Sequence, residues 1–196
     1  MSASARAAVI LNLLRFAPPG CDFPGRNGAP GIPVLADVRG ALSNGLLRNL
    51  IVQGLGGILA TDFVEAEIVA GVAKAGICWA AMLADRAAMP AAVVNLDGPR
   101  ASGLQREVEG DVAGRRVLLI DNLIVRGGSL QQAARVVAGA GGKVIGALTV
   151  IADPGARLDF EIRSLWTQRE LIDAAFDVGR IDGEIHRRLT QKETKQ

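Results

Sequence analysis

The stretch from Val117 to Leu130, Val-Leu-Leu-Ile-Asp-Asn-Leu-Ile-Val-Arg-Gly-Gly-Ser-Leu, constrains this chain more than any other. Four apolar residues, Val117 to Ile120, predict a strand buried on both faces. An acid and an amide, Asp121 and Asn122, follow at once. Arg126-Gly127-Gly128-Ser129 then leads into Leu130 to Val137, which predicts a helix with Ser129 as its N-cap. A strand, a glycine loop and a helix start in that order aim backbone N–H groups at an anion, and the helix dipole adds positive charge. Asp121 is expected at the carboxyl end of the strand, where open α/β sheets bind ligands. The same residues also fit an ordinary βα turn that holds no ligand, because a glycine pair is common.

A chain of 196 residues suits one α/β domain and is long enough to bury a sizeable core. Hydrophobic residues make up 49% and aromatics 4%, with no Tyr, so the core must be Ala, Val, Leu and Ile. Basic residues number 22 against 20 acidic ones, and a net charge of +2 leaves no electrostatic footprint for nucleic acid. His186-Arg187-Arg188, with Lys192 and Lys195, reads as a solvated tail. Cys21 and Cys78 form neither a metal-ligand spacing nor a disulfide framework, which suits a reducing compartment. Cys78 lies in an apolar helical run and is expected to be buried. His186 is the only histidine, so a histidine metal cluster is excluded. No apolar run approaches the roughly 20 residues of a membrane span. Nothing after Ala7 to Leu14 looks like a signal-peptidase site, and a cytoplasmic protein is expected.

The central stretch resembles the phosphoribosyl-pyrophosphate (PRPP) motif of type I phosphoribosyltransferases. That motif runs through apolar residues, two acids, two apolar residues, two small or hydroxyl residues, then Gly-Gly-Ser or Gly-Thr. Asp121 falls on the first acidic position and Asn122 on the second. Gly127, Gly128 and Ser129 fall on the phosphate loop, while Val125 and Arg126 stand where small or hydroxyl residues are usual. Over residues 30 to 180 the order of further motifs is similar to that of orotate phosphoribosyltransferases.

In chain order, Ala5 to Arg15 predicts an amphipathic helix that ends before Pro18-Pro19-Gly20. Gly31 to Arg39 predicts a strand entered at Pro33. Pro33, Asp37 and Arg39 match a Ser-Pro-x-Tyr-x-Asp-x-Arg-like segment of the orotate enzymes, whose Ser and Tyr are absent here. A structural ion pair between Asp37 and Arg39 is the alternative. Ser43 is expected to cap a helix to Leu55, with Leu46, Leu47, Leu50, Ile51 and Leu55 on its apolar face. Glu67 to Ile77 resembles the family's strand and pyrophosphate loop, with Lys74, Ala75 and Gly76 in the turn. A plain turn with a solvated lysine is the alternative there. A helix from Ile77 to Arg86 and a strand from Ala91 to Asn95 follow.

In the orotate enzymes that strand runs into a mobile loop carrying catalytic lysines. Here Asn95 and Leu96 replace an Arg-Lys pair, Arg100 falls on the second Lys and Ser102 on a His. Arg keeps the charge of Lys but cannot act as a general acid at neutral pH. Glu109-Gly110 matches the Glu-Gly beyond the loop. Gly142 to Asp153 predicts another parallel strand, ending in Asp153-Pro154 where the orotate enzymes have Asp-Arg. Phe160 to Trp166 predicts a last strand. Thr167 with Glu170 predicts a capping box on a helix to Phe176, and Ile181 to Leu189 a terminal helix.

The resemblance implies an α/β protein of the type I phosphoribosyltransferase fold. Its central sheet is mostly parallel and flanked by helices, with a small hood from the N-terminal segment. It implies a single domain over residues 1–196, with helix and hood to about 40, core from about 41 to 166 and C-terminal helices over 167–190. It implies binding of PRPP or a nucleoside monophosphate and transfer of phosphoribose to a nucleobase such as orotate. Asp121 and Arg100 would be catalytic. Asn122, Arg126, Gly127, Gly128, Ser129, Lys74, Ala75 and Gly76 would hold PRPP, and Asp37, Arg39 and Asp153 the base. Mg²⁺ would arrive with PRPP near Asp121, without a direct protein ligand. The partners implied are the phosphoribosyl ligand and a second copy in a homodimer, with neither nucleic acid nor membrane. The changes at Asn122, Val125 and the loop leave a second reading, an impaired homologue that binds a phosphorylated ligand or regulates. A dinucleotide-dependent dehydrogenase is a distant third, since no G-x-G-x-x-G follows a strand.

Overall fold

A computed structural model describes residues 9–24, 30–98, 104–153 and 155–191. In chain order the strands are β1 Leu14–Phe16, β2 Val34–Ala36, β3 Ile68–Val72, β4 Ala91–Val94, β5 Val108–Glu109, β6 Arg116–Ile124, β7 Lys143–Ala152 and β8 Glu161–Thr167. The helices are α1 Gly45–Asp62, α2 Gly76–Ala87, α3 Gly128–Gly139, α4 Gln168–Asp177 and α5 Gly183–Thr190. The chain divides into two compact units, residues 49–165 and residues 1–48 with 166–196.

The larger unit is built on a six-stranded sheet of order β5-β4-β3-β6-β7-β8. β3 runs parallel to β4 and β6, and β6 parallel to β7, while β5 is antiparallel to β4. This is the mostly parallel, helix-flanked sheet that the sequence predicts. The central strands are apolar along their length because helices cover both faces. β3, Ile-Val-Ala-Gly-Val, is buried at every position. Alternation sorts the two faces. Ile68, Ala70, Val72, Val117 and Leu119 share a core cluster with Leu130, Ala133 and Val137 of α3. Gly71 and Ile120 point the other way, where a Cβ on Gly71 would meet Ile77 and Ala80 of α2. Right-handed crossovers that leave β3 and β6 in opposite directions put α2 and α3 on opposite faces.

The smaller unit holds the β1–β2 antiparallel hairpin, a 3₁₀ turn at Gly40–Ser43, α4 and α5. His186 Nε2 lies 2.7 Å from Asp173 Oδ1, and its ring is 4.6 Å from that of Phe176, so this part of the basic tail is docked. Arg188 pairs with Asp22, and Arg180 lies over the Phe16 ring at 4.9 Å.

Several boundaries differ from those expected. Residues 9–12 are helical, but by Leu14 the chain is a strand, because Leu14 to Phe16 pairs with Ala36 to Val34. The strand expected over Gly31 to Arg39 shortens to Val34–Ala36, which leaves Asp37 and Arg39 in a turn. Ser43 closes the 3₁₀ turn, and Asn44 caps α1 instead, its Oδ1 accepting from Leu47 N at 3.1 Å. α1 continues past Leu55 to Asp62, since Leu59 and Phe63 also reach the core and extend its apolar face. Cys78 is exposed. The buried side of α2 is Gly76, Trp79, Ala80, Leu83 and Ala84, and residue 78 falls outside that stripe.

Candidate functional site

The crossover through α2 carries the chain from β3 to β4, and the crossover through α3 carries it from β6 to β7 in the opposite sense. The direction of winding therefore reverses between β3 and β6. The carboxyl ends of those strands frame the crevice in which such sheets bind ligands. Two turns stand there, residues 73–75 before α2 and Val125 to Gly127 before α3.

The second turn is shaped by Gly127. Its φ of +81° is a left-handed value that disfavours a side chain, and a Cβ there would lie 2.8 Å from Leu158 Cδ2. Gly127 is thus the N-cap of α3, and its carbonyl accepts from Gln131 N at 2.9 Å. Ser129, expected to cap, stands inside the first turn, and no side chain caps this helix. The reason is that the left-handed glycine has already turned the chain two residues earlier. The N–H groups of Gly128, Ser129 and Leu130 precede the first intrahelical bond and point out of the helix start. Gly128 and Ser129 are exposed, as is Arg126, which makes no ion pair among the described residues.

Asp121 lies within a longer strand than expected. β6 runs past it to Ile124, because β7 continues to pair with it through Asp121↔Thr149, Leu123↔Ile151 and Ile124↔Ala152. On the other side, pairing with β3 stops at Gly71↔Ile120. Asp121 is therefore the first residue of β6 beyond its pairing with β3, level with Val72, the last residue of that strand. Its side chain shares a face with Val117 and Leu119, the face covered by α3. Asn122, the next residue, is half-buried. Asp121 is 8% exposed. Burial pushes its pKa up to about 6, against the lowering effect of the Asn122 N–H, which donates to Oδ1 at 2.7 Å.

The first turn is brought to the same place by close packing. A Cβ on Gly76 would collide with the Ile120 carbonyl oxygen, so only glycine lets α2 begin directly over the end of β6. Ala75 is the N-cap of α2, without a side-chain cap, and Lys74 is exposed. The peptide between Ala73 and Lys74 is cis. Ala73 N donates to Val94 O at 2.9 Å, which ties this turn to the end of β4. Lys74, Ala75 and Gly76 before and at the start of α2, Asp121 and Asn122 in β6, and Gly127 to Ser129 at the start of α3 thus all stand at the carboxyl ends of β3 and β6.

Other expected site residues stand on segments outside the two turns. Asp37, in the smaller unit, pairs with Arg15 at 3.1 Å and accepts from Gly40 N at 2.9 Å; Arg39 is exposed. The ion pair imagined between Asp37 and Arg39 is replaced by the one with Arg15. Asp153 follows β7 and accepts from Gly155 N at 2.7 Å. Arg100 lies outside the described residues. A groove of about 580 Å³ lies between α1 and the C-terminal half of α2, lined by Gln53, Phe63, Leu83 and Arg86. It lacks converging acids and helix-start amides, so the crevice is the better candidate. Among the described residues no cluster of His, Cys, Asp and Glu is placed to hold a metal ion by itself. Asp121 is a carboxylate four residues before the Val125 to Gly127 turn, which suits an Mg²⁺ that would arrive with a diphosphate and take its oxygens from it rather than directly from the protein.

A sequence profile of the phosphoribosyl transferase domain matches residues 51–174, which include both turns and every central strand. The chain belongs to this family. It is 35% identical over 161 residues to the orotate phosphoribosyltransferase of Cutibacterium acnes, covering 78% of this chain and 74% of that protein. It is 30% identical over 165 residues to the orotate phosphoribosyltransferase of Bacillus subtilis, covering 80% and 76%. Among solved structures, orotate phosphoribosyltransferase from Aeropyrum pernix superposes with a TM-score of 0.74 over 90% of this chain and 99% of that one, at 24% identity. At that identity the likeness shows the fold alone.

The structure adds three polar features at the carboxyl ends of the strands in this phosphoribosyltransferase-family chain. Thr149 is fully buried and paired in register with Asp121. Asn95 directly follows β4 and has a buried side-chain nitrogen with no hydrogen-bond partner among the described residues. Gln131 and Gln132 reach from α3 to two different loops. A polar residue inside the apolar run Val144 to Ile151 was the available signal for Thr149. The other two depend on contacts between elements distant in sequence.

Proposed function

We propose that the crevice binds PRPP or a nucleoside monophosphate, and that the protein transfers phosphoribose to a nucleobase such as orotate. The observation that carries this reading is the juxtaposition of a buried Asp121 with the uncapped start of α3 at Gly127. The amides of Gly128, Ser129 and Leu130 receive the 5′-phosphate, with the helix dipole behind them. Asp121 accepts a ribose hydroxyl in a charge-assisted hydrogen bond, and Asn122 offers a neutral one. The 73–75 turn and Lys74 receive the pyrophosphate, with Arg100 adding charge from the loop. Asp37, Arg39 and Asp153 are proposed for the base. In the transfer, the bond from ribose C1 to pyrophosphate breaks with its electron pair leaving on pyrophosphate, a bond from C1 to a base nitrogen forms, and that nitrogen's proton passes to solvent. Mg²⁺ arriving with PRPP near Asp121 would offset the charge of the leaving group. The residues of this chain hold the phosphate, orient the ribose and keep C1 open to the base.

The match to orotate phosphoribosyltransferases over about three quarters of both chains supports orotate as the base. A homodimer in the cytoplasm is part of the same proposal. Calorimetric titration with PRPP, with and without Mg²⁺, tests the site, and an assay of orotate consumption tests the transfer. Binding and turnover together are expected. Absence of PRPP binding in folded protein would reject the reading.

One observation favours a second reading, binding without transfer. Where the orotate enzymes carry a lysine at the root of the catalytic loop, Leu96 is packed against the core cluster. PRPP binding with no turnover of any nucleobase would select that reading.

A further inference from the structure

Gln131 and Gln132 follow directly on the helix-start residues Gly128 to Leu130. Gln132 Nε2 donates to the Leu96 carbonyl at 2.8 Å, and Gln131 Nε2 donates to Asp159 Oδ2 at 3.1 Å. Leu96 is the root of the segment leaving β4, and its side chain packs on the core cluster that α3 covers. The residue before it, Asn95, donates its N–H to Glu107 O at 2.8 Å. One residue earlier, the Val94 carbonyl accepts from Ala73 N. The end of β4 is therefore tied on one side to the 73–75 turn and on the other, through Gln132, to the helix that starts at the phosphate cradle. On the far flank, Leu158 lies against Gly127, and the Gln131 bond holds the residue beside it.

We propose that Gln132 is a positioning residue that fixes the span between the α3 amides and the 73–75 turn. A ligand carrying two separated anionic groups, a phosphomonoester and a pyrophosphate, then meets both cradles at once. This rests on the phosphoribosyl reading of the site. A ligand that bridges two subsites depends on their spacing, whereas a ligand that fills one does not. The two can therefore be separated by comparing PRPP with inorganic phosphate.

The test is calorimetry of both ligands on the wild type, on Gln132→Met and on Gln132→Lys, with a melting curve for each. Methionine matches the length of glutamine and removes the donor; lysine keeps a donor for the Leu96 carbonyl. Gln132→Met is expected to weaken PRPP binding by about three- to ten-fold, the worth of one hydrogen bond. Phosphate affinity and melting temperature should stay at the wild-type values, because Gln132 is exposed. Gln132→Lys should restore the ratio of PRPP to phosphate affinity. An equal loss for both ligands, or no loss for PRPP, would overturn the positioning role and leave the phosphoribosyl reading intact. A wild type that does not bind PRPP would overturn both.

Discussion

Asp121 carries an ordinary carboxyl pKa of 3.8 up to about 6 because burial strips its water, and one backbone N–H only partly offsets that loss. Its folded pKa is raised, so the folded state holds the proton more tightly than the unfolded chain. Its contribution to stability is fully present below about pH 4 and is lost as pH rises to about 6. The cost above that is about 3 kcal/mol. Asp121→Asn removes a charge that the fold pays to bury, and urea denaturation at pH 7 should show a gain of about 1–3 kcal/mol. That gain should vanish near pH 4. Ligand binding should move the other way. Asp121→Asn is expected to weaken PRPP by roughly ten- to a hundred-fold, and wild-type affinity should fall as pH drops through 6. A more stable variant with unchanged PRPP affinity would mean that Asp121 touches no ribose. Asn122→Asp places a second carboxylate at the crevice and should strengthen PRPP by about five- to ten-fold in the same calorimetric titration.

At the scale of elements, two helix starts in this protein are built in opposite ways. α3 begins on a left-handed glycine and has no side-chain cap on its first amides. α4 begins on a complete capping box: the Thr167 hydroxyl accepts from Glu170 N, and the Glu170 carboxylate accepts from Thr167 N. Gly127→Ala should lower stability by about 1–3 kcal/mol, from the unfavourable φ and the contact with Leu158, and should weaken inorganic phosphate binding as the turn distorts. Thr167→Ala should cost about 1 kcal/mol in thermal or urea denaturation and leave phosphate binding alone. The capping box was legible because its residues are neighbours in sequence and satisfy each other. Ser129 misled for a related reason. A hydroxyl before an apolar run is a good capping signal, but the φ of Gly127 had already set the start of the helix.

At the scale of the whole molecule, the proposed homodimer makes a direct measurement decisive. Light scattering at micromolar concentration should give twice the mass of one chain. A monomer would count against the homodimer that the resemblance implies.

The residues alone determined the sheet class and the two βα turns, because these rest on local rules. Apolar runs such as Val117 to Ile120 are long enough to specify buried parallel strands, and the glycines mark where the backbone must turn sharply or approach another strand. What the chain could not declare locally was decided by pairing and packing. β6 extends past Asp121 because β7 remains paired with it while the pairing with β3 stops. Asp37 turned to Arg15 because the β1–β2 hairpin brought that guanidinium within 3.1 Å. The shifted pKa of Asp121 and the reach of Gln132 to Leu96 likewise depend on what surrounds each group. Desolvation and contacts between distant elements belong to the folded molecule, and no sequence pattern encodes them.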